Sequence, residues 1–374
     1  MQFFARCLVI LFGFNLAAYA ASPQFQLIRK LSYAEISTAQ LYHSKKLWVG
    51  MSRLGYDPQY VIELYTPDGK LLQHYKMAHS LDRLYTYGDD TVLAIGRVKD
   101  GSVYSYYSIL QYSQQSLKVL KQKSFSADIT TQFFAGKPNE EPKFFGAPGG
   151  SDTLNGTEIF GADKGTRSVF TLGSRSPRFL LSRFGFLKGL AKMGNNIYVL
   201  EALSIGQADN IVRLDLTQPE IKYAPRLLTD KAYPFIEKIE EFDPDTLVAP
   251  VSGTGEVLFV DVKTQGIRKV NLHEYGAPVE AKKLGRCAVV ATKDQRKVIF
   301  YDMVANKVLK VWDYSAVGED LVVIRTISID QENAKIYVKG VLPWNIYDGP
   351  APGKRNSVSV GYEADRETFN TCLK

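Results

Sequence analysis

A pair of strand-like runs recurs seven times along this chain, and that recurrence limits the fold more than any other feature. The first member reads "KLWVGM" from Lys46, "TVLAIG" from Thr91, "EIFGAD" from Glu158, "NIYVLE" from Asn196, "TLVAPV" from Thr246, "CAVVAT" from Cys287 and "KIYVKG" from Lys335. Each is followed by a partner: "YVIELYT" from Tyr60, "YSILQYS" from Tyr107, "SVFTLG" from Ser168, "NIVRLDL" from Asn210, "EVLFVDV" from Glu256, "KVIFYDM" from Lys297 and "NSVSVGY" from Asn356. β-Branched and aromatic residues dominate these runs, and clusters of Gly, Asn, Asp and Pro bound them.

The turns carry the argument further. In "YVIELYTPDGKLLQHYKM", Tyr60 to Met77, Pro67 presets the first central turn position, Asp68 tolerates the second, and Gly69 takes the left-handed position of a type I turn with a bulge. A third run follows in several units ("KLLQHYKM", "LKVLKQKSF", "FLLSRF", "IRKVNL", "KVLKVW"). Each unit is therefore a four-stranded meander of roughly 40 to 60 residues, the size of a propeller blade. The expectation is an all-β chain: a single β-propeller of seven four-stranded antiparallel blades, with six or eight as the alternatives. "FQLIRKL", Phe25 to Leu31, is placed to supply the outer strand of the last blade; the C-terminal "TFNTCLK" competes for that edge.

"VIFYDMVANKVLKVWD" and "VLFVDVKTQGIRKV" resemble the repeats of YVTN and NHL-type propellers, in which an Asp sits near the end of the third strand. Asp215, Asp261 and Asp302 fit that pattern. A carboxylate repeated at such positions reads as an acceptor for turn N–H groups rather than as a catalyst.

The opening "MQFFARCLVILFGFNLAAYAASPQ" has Arg6 ahead of an apolar run and Ala18-Tyr19-Ala20 as a cleavage signature. Residues 1–20 read as a cleaved secretory signal and 21–374 as the propeller, exported to the periplasm or beyond the cell. The run is shorter than the roughly 20 residues of a membrane span. Cleavage would leave a net charge one below the +7 of the whole chain. Positive and negative residues are interleaved, so a nucleic-acid groove is not indicated, and no later segment approaches the length of a membrane span. Cys287 and Cys372 are the cysteines left after cleavage, and an exported location permits them to pair. No Cys or His spacing suits a zinc site, and no cofactor is expected.

Function is expected in the loops, because the strands are committed to packing. Two Pro- and Gly-rich stretches stand out by length, Ser126 to Gly156 and Val341 to Arg355. Phe133, Phe134, Trp344 and Tyr347, with Arg53 and Tyr56 from the first unit, are the candidate ligand-binding rim for a protein, peptide or glycan. The rim is expected on the face formed by the second-to-third strand loops and the connections between blades. The leading reading is a binding or protein-interaction scaffold of undetermined oligomeric state. The alternative is a propeller enzyme, a metal-dependent lactonase or hydrolase or a lyase, with Asp57, Asp163, Asp209 and Asp348 as its metal-binding carboxylates. His79 and His273 are the histidines expected on the open face.

Overall fold

In a computed structural model, the described residues are 25–374 apart from 33–39, 44, 53–59, 80, 82, 89, 98–103, 114–115, 127–128, 136–142, 149–167, 173–176, 183–185, 203–208, 216, 218–225, 229–232, 321–322 and 342–356. Their strands form seven antiparallel sheets in chain order. The first runs Gln40–His43, Lys46–Ser52, Tyr60–Tyr65, Leu71–Met77, and the second Arg83–Gly88, Thr91–Arg97, Tyr104–Ser113, Ser116–Ser126. The third runs Ile129–Ala135, Lys143–Pro148, Ser168–Leu172, Pro177–Ser182, and the fourth Phe186–Met193, Asn196–Ala202, Asp209–Asp215. The fifth runs Glu240–Asp243, Thr246–Val251, Glu256–Asp261, Ile267–Asn271, and the sixth Pro278–Leu284, Cys287–Thr292, Lys297–Asp302, Lys307–Asp313. The seventh orders Val323–Asp330, Lys335–Val341 and Ser357–Ala364 and then takes Gln26–Ser32 from the other end of the chain. Six sheets have four strands; the fourth has three among the described residues, and its outer side is met by a bridge from Arg226 to Val212.

Strands in the middle of these sheets are apolar on both faces because each face meets a different neighbour. In the fifth sheet Leu247, Ala249, Leu258 and Val260 pack with residues of the fourth, whereas Val248, Val257 and Phe259 pack with the sixth. The alternation of side chains along a strand thus sorts one continuous apolar run into two interfaces. Between the sixth and seventh sheets, Phe300 and Trp312 stack edge to face at 4.7 Å within a cluster that includes Ile324, Ile336 and Val338. Emptying the Trp312 site would cost about 3–5 kcal/mol.

The last sheet returns to the first. Leu47, Val49 and Tyr65 of the first sheet share a core cluster with Tyr337 and Tyr362 of the seventh. Polar contacts reinforce the seam: Tyr337 Oη donates to the Pro67 carbonyl at 2.8 Å, Arg29 lies 3.3 Å from Glu63, and Lys45 lies 3.3 Å from Glu332. Gly69 has φ of 88° and its N–H reaches the Thr66 carbonyl at 2.9 Å, as the Thr66-Pro67-Asp68-Gly69 turn requires.

The ends of the chain decide between the two edge candidates. Gln26–Ser32 pairs with Ser357–Ala364 from Gln26 opposite Tyr362 to Ser32 opposite Ser357, with one bulge between Leu27 and Arg29, so the N-terminal segment takes the edge. The C-terminal candidate is instead a helix, α1, Arg366–Leu373, because Asp365 caps it by accepting the Thr368 N–H at 3.0 Å. α1 buries Phe369 and Cys372 against the sixth sheet. Cys287 and Cys372 form a disulfide with their Cα atoms 5.3 Å apart. No helix among the described residues is long and apolar enough to cross a membrane.

The third sheet corrects the sequence reading. Its second strand is Lys143–Pro148, which pairs with Ser168–Leu172 through Phe144 opposite Leu172; the expected run from Glu158 lies outside the described residues. The stretch read as a long loop from Ser126 therefore contains two strands. Its Pro and Gly residues masked the aromatic and β-branched content of "ITTQFFA" and "KFFGAP".

Candidate functional site

An antiparallel meander puts its first-to-second and third-to-fourth turns at one end and its second-to-third loops and sheet-to-sheet connections at the other. At the turn end the recurring aspartates act on their own backbone. Asp261 Oδ1 accepts the Lys263 and Thr264 N–H groups, both at 2.8 Å, and Asp302 Oδ1 accepts those of Val304 and Ala305, both at 2.9 Å. Asp215 Oδ1 accepts the Thr217 N–H at 2.9 Å. These backbone donors favour the ionised form and hold the carboxyls of Asp261 and Asp302 below the usual range. The turns are fixed, so the groove between them is fixed as well.

That groove is an open cleft of about 610 Å³ between the turn ends of the fifth and sixth sheets. Its floor is the edge-to-face pair Phe242 and Phe259, with ring centroids 4.9 Å apart. Lys283 holds its ammonium 5.7 Å from the Phe242 ring and 3.4 Å from Asp243. On the walls, Arg268 donates to Asn306 Oδ1 at 3.0 Å and Arg286 lies 2.8 Å from the buried Asp302. Val304, 79% exposed, projects from the sixth sheet's turn at the rim. The cleft thus combines aromatic and aliphatic surface with cations on opposite walls.

The C-terminal helix supports one wall. Arg286 donates its backbone N–H to the Cys372 carbonyl at 2.9 Å. Gly285, at φ of 53°, sits so close that a Cβ there would lie 2.3 Å from the same oxygen. Only glycine lets the turn bearing Arg286 approach the disulfide-linked end of α1.

A second polar group lines the inner strands. Lys238 lies 2.9 Å from Glu240 and in direct contact with Glu280, while Lys282 contacts Glu240 and lies 3.2 Å from Glu280. Burial would raise the Glu240 carboxyl, but the two ammonium groups outweigh it and hold it down at about 2. Glu280 Oε2 also accepts the Ile327 N–H at 2.6 Å. Two carboxylates balanced by two ammonium groups stitch the fifth sheet to the sixth and the sixth to the seventh. Among the described residues, no three His, Cys, Asp or Glu side chains are gathered to hold a metal ion.

Of the residues expected to form the binding rim, Arg53, Tyr56, Trp344 and Tyr347 lie outside the described residues. Phe133 and Phe134 occupy the first strand of the third sheet, opposite Phe145 and Phe144, rather than a loop. Asp57, Asp163 and Asp348 also lie outside the described residues. Asp209 is 3% exposed and its Oδ2 accepts the Ile236 N–H at 2.6 Å, fastening the connection into the fifth sheet. His79, expected on the open face, is instead 2% exposed and bonded to Ser108 Oγ at 2.9 Å, whereas His273 is exposed. The cleft escaped the sequence reading because it is built from hairpin turns of ordinary composition. Its available signal was the pair of basic residues in each of the strands "IRKVN" and "PVEAKKL", beside the aspartate turns.

No protein-family model matches the chain, and no curated protein matches its sequence. Among solved structures it is similar to the computationally designed Ika8 protein, with a TM-score of 0.54 and 14% identity over 90% of this chain and 99% of that one. It is also similar to the WD40 β-propeller domain of Doa1, with a TM-score of 0.53 and 12% identity over 92% of this chain and 99% of that one. At these identities the likeness is one of fold. The chain is a β-propeller.

Proposed function

We propose that this chain is an exported, seven-bladed β-propeller of the YVTN/NHL kind that acts as a protein-interaction scaffold. The observation that carries the binding reading is the cleft between the fifth and sixth sheets, where the Phe242–Phe259 pair lies between the cations of Arg268, Lys283 and Arg286 on a frame of fixed turns. Aromatic floors with flanking cations suit peptide segments that bring an apolar side chain and a carboxylate together. Propeller relatives in fold include a WD40 domain, and a rigid ring with variable loops is a common platform for protein partners. The count of seven blades is supported by seven sheets in chain order and by the packing of the seventh on the first.

Export is supported by the leader-like residues 1–20 and by the Cys287–Cys372 disulfide, a bond that persists in oxidising compartments. Both halves are open to test. Expressed with its own leader, the chain should be recovered outside the cytoplasm with its N-terminus at Ala21 by intact mass; recovery with residues 1–20 still attached would count against export. Immobilised mature chain should retain a partner from the exported protein fraction. Arg268→Glu combined with Val304→Asp should weaken that retention at least about tenfold with an unchanged unfolding midpoint. Equal retention by the double variant would remove the cleft from the account.

A further inference from the structure

The connection from the fourth sheet to the fifth holds an aromatic ring in solvent and strains the backbone to do so. Phe235 is 59% exposed and has φ of 61°, a left-handed conformation that bulky side chains avoid. Single exposed apolar residues are ordinary on protein surfaces. A strained one is not, because the chain must keep it there against its own preference.

The restraints are visible on both sides. The Phe235 carbonyl accepts the Ser252 N–H at 3.0 Å and the Ser252 hydroxyl at 3.2 Å. Ile236 donates to the buried Asp209 carboxylate at 2.6 Å, and Glu237 donates to the Pro250 carbonyl at 3.0 Å. Gly253 lies beneath: a Cβ there would stand 2.6 Å from the Pro234 carbonyl oxygen and 3.1 Å from the ring's Cδ2. The next connection supplies an internal comparison. There the Ala277 carbonyl accepts the Lys293 N–H at 2.9 Å, the same backbone bond made by a residue without a ring. The trace from sheet to sheet therefore does not need an aromatic at this place.

The rim is polar and balanced. Glu237 pairs with Lys293 at 3.1 Å, and Thr254 donates to Glu256 at 3.0 Å. Glu237 and Lys293 cancel and Lys269 offsets the charge of Glu256, so among the described residues this rim has no surplus charge with which to select a phosphate-bearing or strongly ionic ligand. A rigid aromatic inside a polar border matches the anchor of a protein interface, where most of the affinity is concentrated in such side chains.

We propose that Phe235 is the anchor of a second protein-binding surface, at the connection end of the molecule and opposite the cleft, and that it inserts into an uncharged apolar pocket of a partner protein. The inference rests on the scaffold reading above and adds a separate surface to it. The preset backbone explains why the ring can bind: its ordering cost is met on folding rather than at the interface.

Two measurements test it. In the purified mature chain, Phe235→Gly puts the one residue at ease with this φ in its place, so the unfolding midpoint should hold or rise by about 1–3 °C. A fall of more than about 5 °C would show the ring to be an internal contact and overturn the anchor. In parallel, p-benzoylphenylalanine at position 235, irradiated in the exported protein fraction, should cross-link to apolar residues of one protein that the same probe at position 304 does not reach. Against that protein, once purified, Phe235→Ala should lose at least about 30-fold in affinity. Raising salt from about 0.1 to 0.5 M should change the wild-type affinity less than about twofold. Cross-linking only to lipid or to another copy of this chain overturns the proposal, as does undiminished binding by Phe235→Ala. A partner that needs Arg268 and ignores Phe235 would leave the scaffold standing and remove this surface; no retained protein at either end would remove both.

Discussion

Glu363 shows what a single buried carboxyl does in this fold. It is 5% exposed on the third strand of the seventh sheet and accepts a hydrogen bond of 2.7 Å from the buried Tyr314 hydroxyl. Burial raises its carboxyl to about 7, Tyr314 opposing the rise, Asp365 adding to it and Lys310 reducing it. The folded value lies above the ordinary one, so the folded state keeps a proton that the unfolded state releases. This group's contribution is therefore fully present below about pH 4.5 and is lost as pH rises through about 7, a change of about 3 kcal/mol. Glu240 has the opposite sign: its contribution is present above about 4.5 and is lost as pH falls towards about 2. Unfolding midpoints between pH 4.5 and 8 should fall for the native chain and stay nearly level for Glu363→Gln; equal slopes would show that Glu363 titrates normally. The turn aspartates were legible from sequence because each acts within three residues of itself. Glu363 was not, since its partner lies 49 positions away, and nothing local tells a buried Glu from a solvated one. His79 failed for the same reason: its place after a strand suggested exposure, but packing between the first two sheets decided it.

At the scale of elements, the two chain ends are fastened by different means. The disulfide closes a span of 85 residues, and by the loop-entropy argument it stabilises by about 4–5 kcal/mol. Cys372→Ser should lower stability by an amount of that order, and the amides of α1 should then exchange faster than those of the sixth sheet's inner strands. Unchanged exchange in α1 would mean that Phe369 alone holds the helix. At the other end, removing residues 25–32 uncovers the edge of Ser357–Ala364, and bare edges pair with other chains. The shortened chain should aggregate at concentrations where the full one stays monodisperse by light scattering; a stable monomer would show that this strand is dispensable. The N-terminal strand was legible from its composition and its distance to the next strand. The helix was missed although Asp365 and Thr368 stand at capping spacing, because a short C-terminal run of mixed residues carries little periodicity. In the third sheet the turn-rich flanks concealed two real strands.

At the scale of the molecule, repetition made the architecture readable while the surfaces stayed hidden. The same strand pattern seven times over implies sheets that pack face to face, and the two-sided burial of runs such as "CAVVAT" follows from it. The cleft and the Phe235 surface arise where neighbouring sheets meet, at residues whose spacing in the sequence reflects no common function. The seventh sheet lies against the first, which turns a row of sheets into a ring. Lys45 and Glu332, exposed and 3.3 Å apart, report on that contact directly. A zero-length carbodiimide joins only an amine and a carboxyl already in contact. Treated with it as a monomer, the native chain should yield a peptide linking Lys45 to Glu332, and Glu332→Gln should abolish it. If the link is absent, or forms only between separate molecules, the first and seventh sheets do not meet and the ring is open.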